Sequence, residues 1–175
     1  PVYPPFLHAV RETGRRLVEN PLVEGAARWE LDLHGLRAAL DPTTRVLLLC
    51  HPQNPTGRVF ERRELEALAE LALRHQLVVV SDEIHADLVY PGARHVPFAT
   101  LGPEVEARTI TLTSATKAFN IPGLRCALAH FGSAELRRRF LSLPRHLRGG
   151  VGALGPAATA AAWRASQPWL AAVLR

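Results

Sequence analysis

The chain of 175 residues holds 21 lysines and arginines, and only one of them, Lys117, is a lysine. On a solvated surface the two cations serve almost equally well, so a bias toward arginine explains the others and leaves the exception open. Arginine never loses its proton in a protein, whereas the lysine ammonium, with an ordinary pKa of about 10.4, can be desolvated into a neutral, nucleophilic amine. A position that must form a Schiff base with a carbonyl carbon can therefore be lysine and not arginine. Lys117 stands in TSATKAFNIPGLR, residues 113–125, three positions after Ser114 and eight before Arg125. Two other stretches carry complementary groups. HPQNPTG, residues 51–57, presents Asn54 in a turn of two prolines and a glycine, and SDEIH, residues 81–85, presents Asp82, Glu83 and His85.

Each group also has a plainer reading. NPTG makes a tight turn in any protein, Asp82 can cap a helix starting at Glu83, His85 can be an interior histidine, and Arg125 can pair with any surface acid. The spacing of His75, His85 and His95 fits no metal site. What makes the groups informative together is the frame that carries them. TRVLLLC (44–50), LVVVSD (77–82), TITLTS (109–114) and RCALAHF (125–131) are apolar runs of strand length, and the first reads as a strand buried on both faces of a parallel sheet. Between them lie helical patterns. Residues 4–20 place Phe6, Val10 and Leu17 on one stripe, with Pro4 or Pro5 in the first turn. A short helix is expected over Leu31–Leu40 with Asp32 as its N-cap, and a longer one over Glu61–His75 with Leu65, Leu68, Ala69 and Ala72 inward. Ala134–Leu143, Ala153–Ala165 and the residues from Gln167 onward read as helices. Strand and helix alternate, which predicts an α/β fold with a mostly parallel sheet flanked by helices. Ligands of such sheets bind beyond the carboxyl ends of the strands, where Asn54, Asp82 and Lys117 all fall.

Composition narrows the function classes. With 47% hydrophobic and 21% charged residues the chain is globular and long enough for one sizeable core. Its longest apolar runs are far short of a membrane span. The net charge of +5 invites a nucleic-acid reading, but the arginines are scattered, and the one dense run, Arg137–Arg139, has no aromatic platform beside it. It reads as a solvated helix face. Cys50 and Cys126 lack metal spacing and suit a reducing, cytoplasmic setting. The chain starts at Pro1 and contains no methionine, so it reads as a segment of a longer protein.

A carboxylate, an amide and an amine converging on one edge, with an arginine near, match the needs of a phosphorylated aromatic aldehyde, pyridoxal 5'-phosphate. That cofactor requires a lysine for its aldehyde, an acid at its ring nitrogen, a donor to its phenolic oxygen, and an arginine with hydroxyls for its phosphate. NPTG, the strand-end Asp, and SxxK followed by Arg eight residues on resemble, in this order, the fold-type I enzymes of the class I/II aminotransferase superfamily. SDEIHADLVY, the His95–Phe98 segment and TSATKAFNIPGLR resemble most closely the MalY/PatB-type cystathionine β-lyases. The resemblance implies that Lys117 is the Schiff-base lysine and moves the Cα proton, that Asp82 partners the pyridine nitrogen, and that Asn54 donates to the phenolic oxygen. It further implies Ser114 and Arg125 at the phosphate, Tyr3 stacked on the ring and Ile84 under its other face. His85 falls where many aminotransferases place a tyrosine, so its role stays open. Residues 1–175 are then the central part of the large cofactor-binding domain, with the glycine-rich phosphate loop before Pro1 and the small domain after Arg175. The activity implied is carbon–sulfur β-elimination from cystathionine or a related cysteine conjugate, in a cytoplasmic homodimer with no nucleic-acid or membrane partner. Two alternatives remain: an aminotransferase, and the ligand-sensing module that the same fold forms in some transcription regulators.

Overall fold

The computed structural model describes residues 1–175. Helix α1 (Pro4–Glu12) leads into a two-residue hairpin, β1 (Val23–Glu24) with β2 (Trp29–Glu30), and then α2 (Leu33–Ala39). The main sheet comprises β3 (Val46–Cys50), β4 (Val78–Asp82), β5 (Thr109–Thr113) and β6 (Leu128–Phe131), side by side in that order. β3, β4 and β5 run parallel, and β6 returns antiparallel to β5. Between them lie α3 (Arg62–Arg74), α4 (Pro103–Glu106) and α5 (Ala115–Ala118), and after them α6 (Ala134–Leu141), α7 (Leu154–Ala165) and α8 (Gln167–Val173). No helix is long and apolar enough to cross a membrane.

α3 holds the core together. Leu65, Leu68, Ala69 and Ala72 recur at helical spacing and are buried with Leu49, Leu77 and Val79 of the sheet region and Phe60 and Phe98 of the loops. Its start is fixed by a capping box in which Glu61 and Glu64 exchange bonds with each other's backbone N–H. α2 starts where Asp32 accepts from the backbone of Gly35 at 2.7 Å, as expected from its N-cap residue.

Two expectations require correction. α1 stops at Glu12 and does not continue to Asn20, so Leu17 is off its stripe. Gly14 takes φ +67°, and the N–H groups of Gly14 and Arg15 return to the carbonyls of Arg11 and Val10 at 3.0 and 3.2 Å. That is a Schellman ending, which a glycine permits and which outweighs the apolar periodicity beyond it. β3 was expected to be buried on both faces; among residues 1–175 it is the outermost of four strands, and Val46 and Leu48 are 48% and 37% exposed. A third difference is smaller. RCALAHF pairs only from Leu128, because Pro122–Leu124 form a 3-10 turn and Arg125 is left-handed at φ 46°.

Candidate active site

The parallel register sets the tips of three strands side by side. Cys50 lies opposite Asp82, and Asp82 opposite Leu112, so the segments that leave β3, β4 and β5 start from one edge. Because β6 is antiparallel, its start is at the same edge, with Leu128 opposite Thr113. Asn54, Asp82, Lys117 and Arg125 are thus gathered from four places in the chain by topology alone.

The turn after β3 is tightly self-bonded. Gln53 accepts from the Thr56 backbone N–H at 2.9 Å and donates to the Pro1 carbonyl at 3.0 Å, which brings the N-terminal residues, Tyr3 included, beside the turn. Tyr3 is exposed and meets Phe6 edge-on with ring centroids 6.0 Å apart. The Asn54 backbone N–H points to Cys50 Sγ at 3.4 Å. Gly57 closes the turn at φ +70°, a conformation that suits glycine, and the Arg58 carbonyl accepts from Gln53 N–H at 2.8 Å. Arg58 itself is buried: Nη2 donates to both Glu64 carboxylate oxygens at 2.6 and 2.7 Å, and Nε to the Trp29 carbonyl at 2.8 Å. Replacing Glu64 by Ala in the whole protein strands this guanidinium. An unfolding titration should show a loss of about 3–5 kcal/mol, and a loss below about 1 kcal/mol would mean that Arg58 is not held by this pair.

Asp82 does not cap a helix, since the chain continues through turns at 84–87. Its Oδ1 accepts from the Ile84 N–H at 3.1 Å, and Oδ2 receives no hydrogen bond from the chain. Burial raises its pKa above the ordinary aspartate value; the Ile84 N–H and the nearby His85 oppose the rise, and Glu83 adds to it. His85 is shifted down, first by burial and then by the charge of Lys117, against the pull of Asp82. One imidazole thus lies within electrostatic reach of both the acid and the amine.

Lys117 is exposed, near the end of the short helix α5, and has no acidic partner in the chain. Ser114 caps that helix. Its buried hydroxyl accepts from Thr116 N–H at 3.0 Å and lies 2.6 Å from the Cys126 carbonyl, pinning the Lys117 segment to the start of β6. Ser114 Oγ also lies 2.8 Å from Thr116 Oγ1, and of the two residues expected at a phosphate Arg125 is the exposed one, with no acidic partner in the chain. A non-glycine residue at φ 46° costs on the order of 1 kcal/mol, and it turns the chain sharply between the 3-10 turn and β6. Ile84 is half-buried next to Asp82. An apolar hollow of about 350 Å³ between Phe119, Ile121, Ala162 and Trp169 includes none of these strand-tip residues.

Behind the tips lies a cluster whose members stand far apart in the sequence. Glu83, 3% exposed, accepts from Ser81 Oγ at 2.8 Å and Phe98 N–H at 3.0 Å, and meets His95 Nε2 at 2.8 Å. His51, fully buried, lies 4.5 Å from the His95 ring and stacks on Phe60 at 5.6 Å. Burial, with His95 close by, pushes the His51 imidazole down to about 4 from 6.5. The unfolded chain therefore takes up a proton between those values that folded His51 refuses, and stability falls as pH drops from about 6.5 to about 4. The shift corresponds to roughly 3 kcal/mol at about 1.4 kcal/mol per pK unit. Urea titrations of the whole protein should show this slope, reduced in His51→Gln; an equal slope in both would place the titration elsewhere.

The family model for aminotransferase class I and II matches residues 1–172. The cystathionine beta-lyase PatB of Bacillus subtilis (strain 168) is 40% identical over 172 residues, which are 97% of this chain and 44% of PatB. The crystal structure of cystalysin from Treponema denticola, which contains a pyridoxal 5'-phosphate cofactor, superposes with a TM-score of 0.93 at 32% identity, covering 99% of this chain and 45% of that one. N-succinyldiaminopimelate aminotransferase from Mycobacterium tuberculosis superposes with a TM-score of 0.90 at 36% identity, again over 99% of this chain and 45% of the other. The chain thus spans less than half the length of the relatives it matches.

Proposed function

The chain belongs to the aminotransferase class I and II family, and from that premise we propose that the whole protein is a pyridoxal-phosphate-dependent carbon–sulfur β-lyase acting on cystathionine or a related cysteine conjugate. The residues present fit the cofactor. Asp82 offers an oxygen with no donor from the chain, on a carboxyl whose charge is disfavoured by burial and would be favoured by a cationic ring nitrogen. Lys117 offers an unpaired amine as the point of covalent attachment, Asn54 an amide for the phenolic oxygen, Arg125 an unpaired guanidinium for the phosphate, and Tyr3 and Ile84 apolar faces for the ring. Bound there, the cofactor supplies a sink for the electrons left on Cα when its proton is removed.

The work of the chain's own residues follows from their chemistry. Asp82 would hold a proton at the ring nitrogen of a bound cofactor and so keep the sink electron-poor. Lys117, as the free amine, would take the Cα proton as general base. The electron pair left at Cα would then form the Cα–Cβ double bond as the Cβ–S bond breaks, the thiolate leaving with the Cβ–S bonding pair. Water releases the remaining carbon skeleton as pyruvate and ammonia. His85, between Asp82 and Lys117 in its electrostatics and biased toward its neutral form by burial, can accept or donate a single hydrogen bond without adding charge beside the amine.

The observation that carries the proposal is that the only lysine of these residues and a half-buried aspartate follow adjacent parallel strands at the same carboxyl edge. The choice of elimination over amino transfer is supported by the 40% identity to PatB. An aminotransferase is the second reading, supported by the 36% identity to the mycobacterial aminotransferase. The proposal includes a homodimer, and a cytoplasmic location to which the two free cysteines, Cys50 and Cys126, are suited. Borohydride reduction of the whole protein after loading with pyridoxal phosphate should fix the cofactor to the peptide that contains Lys117. Label on any other peptide would contradict the assignment.

A further inference from the structure

The Glu83–His95–His51 cluster lies behind the expected cofactor groups, with side chains almost out of solvent, and it is built into the segments that carry those groups. Glu83 still belongs to the strand pairing, since its N–H donates to Leu112 O at 2.8 Å beyond the last residue of β4. Side chains alternate across a strand, so Ser81 and Glu83, both buried, face one side and Asp82 between them faces the other. Clamping Glu83 inward with Ser81 Oγ, Phe98 N–H and His95 Nε2 therefore determines where Asp82 points. A slip of one residue would exchange the two carboxylates.

The same cluster closes the turn that carries Asn54. The His51 backbone N–H donates to the Asp82 carbonyl at 2.9 Å, and its Nδ1 accepts from the Phe60 N–H at 3.3 Å. Both ends of the 51–60 segment thus return to one residue, which lies against His95. Since Nδ1 accepts, the proton of neutral His51 is on Nε2, a buried atom with no partner in the chain, as is His95 Nδ1. The ring pair is held by packing and by the carboxylate behind it.

We propose that Glu83 and His95, with His51 packed on them, form a positioning device that fixes the orientation of Asp82 and the closure of the Asn54 turn. The device rests on the reading of Asp82 and Asn54 as cofactor ligands only for its consequence; its geometry stands without it. Glu83 is a positioning residue, and the chemistry of its contacts sets which substitutions preserve it. A glutamine keeps an oxygen for Ser81 and Phe98 and an NH₂ for the other tautomer of His95, whereas an alanine leaves three donors without an acceptor.

The test is amide hydrogen exchange on the cofactor-free whole protein, read at His51, Asn54 and Ile84. In Glu83→Ala exchange at these three amides should rise at least tenfold relative to α3, and in Glu83→Gln it should stay within about threefold of the parent. If Glu83→Ala does not fold, His95→Ala, which leaves the Ser81 and Phe98 contacts intact, should give the same local rise. Leu68→Ala serves as a control for general destabilisation, with faster exchange centred on α3. An even rise across the chain in the Glu83 or His95 variants, or equal local exchange in Glu83→Ala and Glu83→Gln, would overturn the proposal. Titration with pyridoxal phosphate separates it from the functional reading. A parent protein that fails to bind the cofactor ends that reading, while the exchange pattern still decides the positioning role. Where the parent binds, the loosened variant should bind at least tenfold more weakly, and unchanged affinity would overturn the link from the cluster to the site.

Discussion

Replacing Lys117 by alanine in the whole protein is expected to abolish the visible absorption of the bound cofactor and to lower turnover by at least about 10⁴-fold. Two functions are lost at once in this account, the covalent attachment point and the general base, and a positioned base alone contributes about 10²–10⁴. No other side chain in these residues can take over, because every other basic side chain of the lysine or arginine type is an arginine, which does not give up its proton. The exposure of Lys117 and its lack of an acidic partner mean that little folding free energy depends on it, so the variant should unfold within a few tenths of a kcal/mol of the parent. Retained absorption at the parent wavelength, in a variant that folds normally, would show that the attachment lysine is elsewhere in the protein.

Asp82→Ala should behave differently. The cofactor remains attached through Lys117, so binding persists, but the ring nitrogen loses the acid that keeps it protonated. Removal of a single electrostatic partner from a water-poor site typically costs on the order of 10²–10³ in turnover, and the same loss is expected here. Removing Asp82 also removes a charge that burial already disfavours and that takes one hydrogen bond from the Ile84 N–H. Cofactor-free stability should then stay level or rise slightly while catalysis collapses, a split that calorimetry and kinetics on one preparation will reveal. Turnover equal to the parent would mean that another acid holds the pyridine.

What could be read in advance, and what could not, divides along the range of the interactions. Asn54, Asp82 and Lys117 were legible because each follows an apolar run of strand length, and parallel strands bring such tips to one edge. The end of α1 was signalled too, by Gly14, but the apolar spacing of Phe6, Val10 and Leu17 pointed the other way. The exposure of Val46 and Leu48 among these residues was not legible, since an apolar run reads alike whether one or both faces are covered. Arg58 and Glu64 are six residues apart across a turn and a helix start, a spacing to which no helical or strand period applies. His95 meets Glu83 through an irregular loop for the same reason, and His51 reads as an ordinary turn residue. Glu83 beside Asp82 in SDEIH was the one hint, because two adjacent carboxylates at a strand tip must face opposite sides. The contact of the Ser114 hydroxyl with the Cys126 carbonyl was not legible either, because Cys126 is brought near by the antiparallel return of β6.

The central claim is that these residues serve elimination. Elimination and amino transfer share the removal of the Cα proton, and they part afterwards: a thiolate on Cβ is a competent leaving group, so loss of the C–S bond competes with returning the proton to the cofactor. One measurement separates them, namely L-cystathionine given to the purified whole protein with pyridoxal phosphate, with thiol and pyruvate followed together, first without and then with an added 2-oxo acid. The account predicts homocysteine and pyruvate in equal amounts without the oxo acid, at a rate above any amino transfer when it is present. Turnover that requires the oxo acid and releases no thiol would contradict it and assign the protein to the aminotransferases.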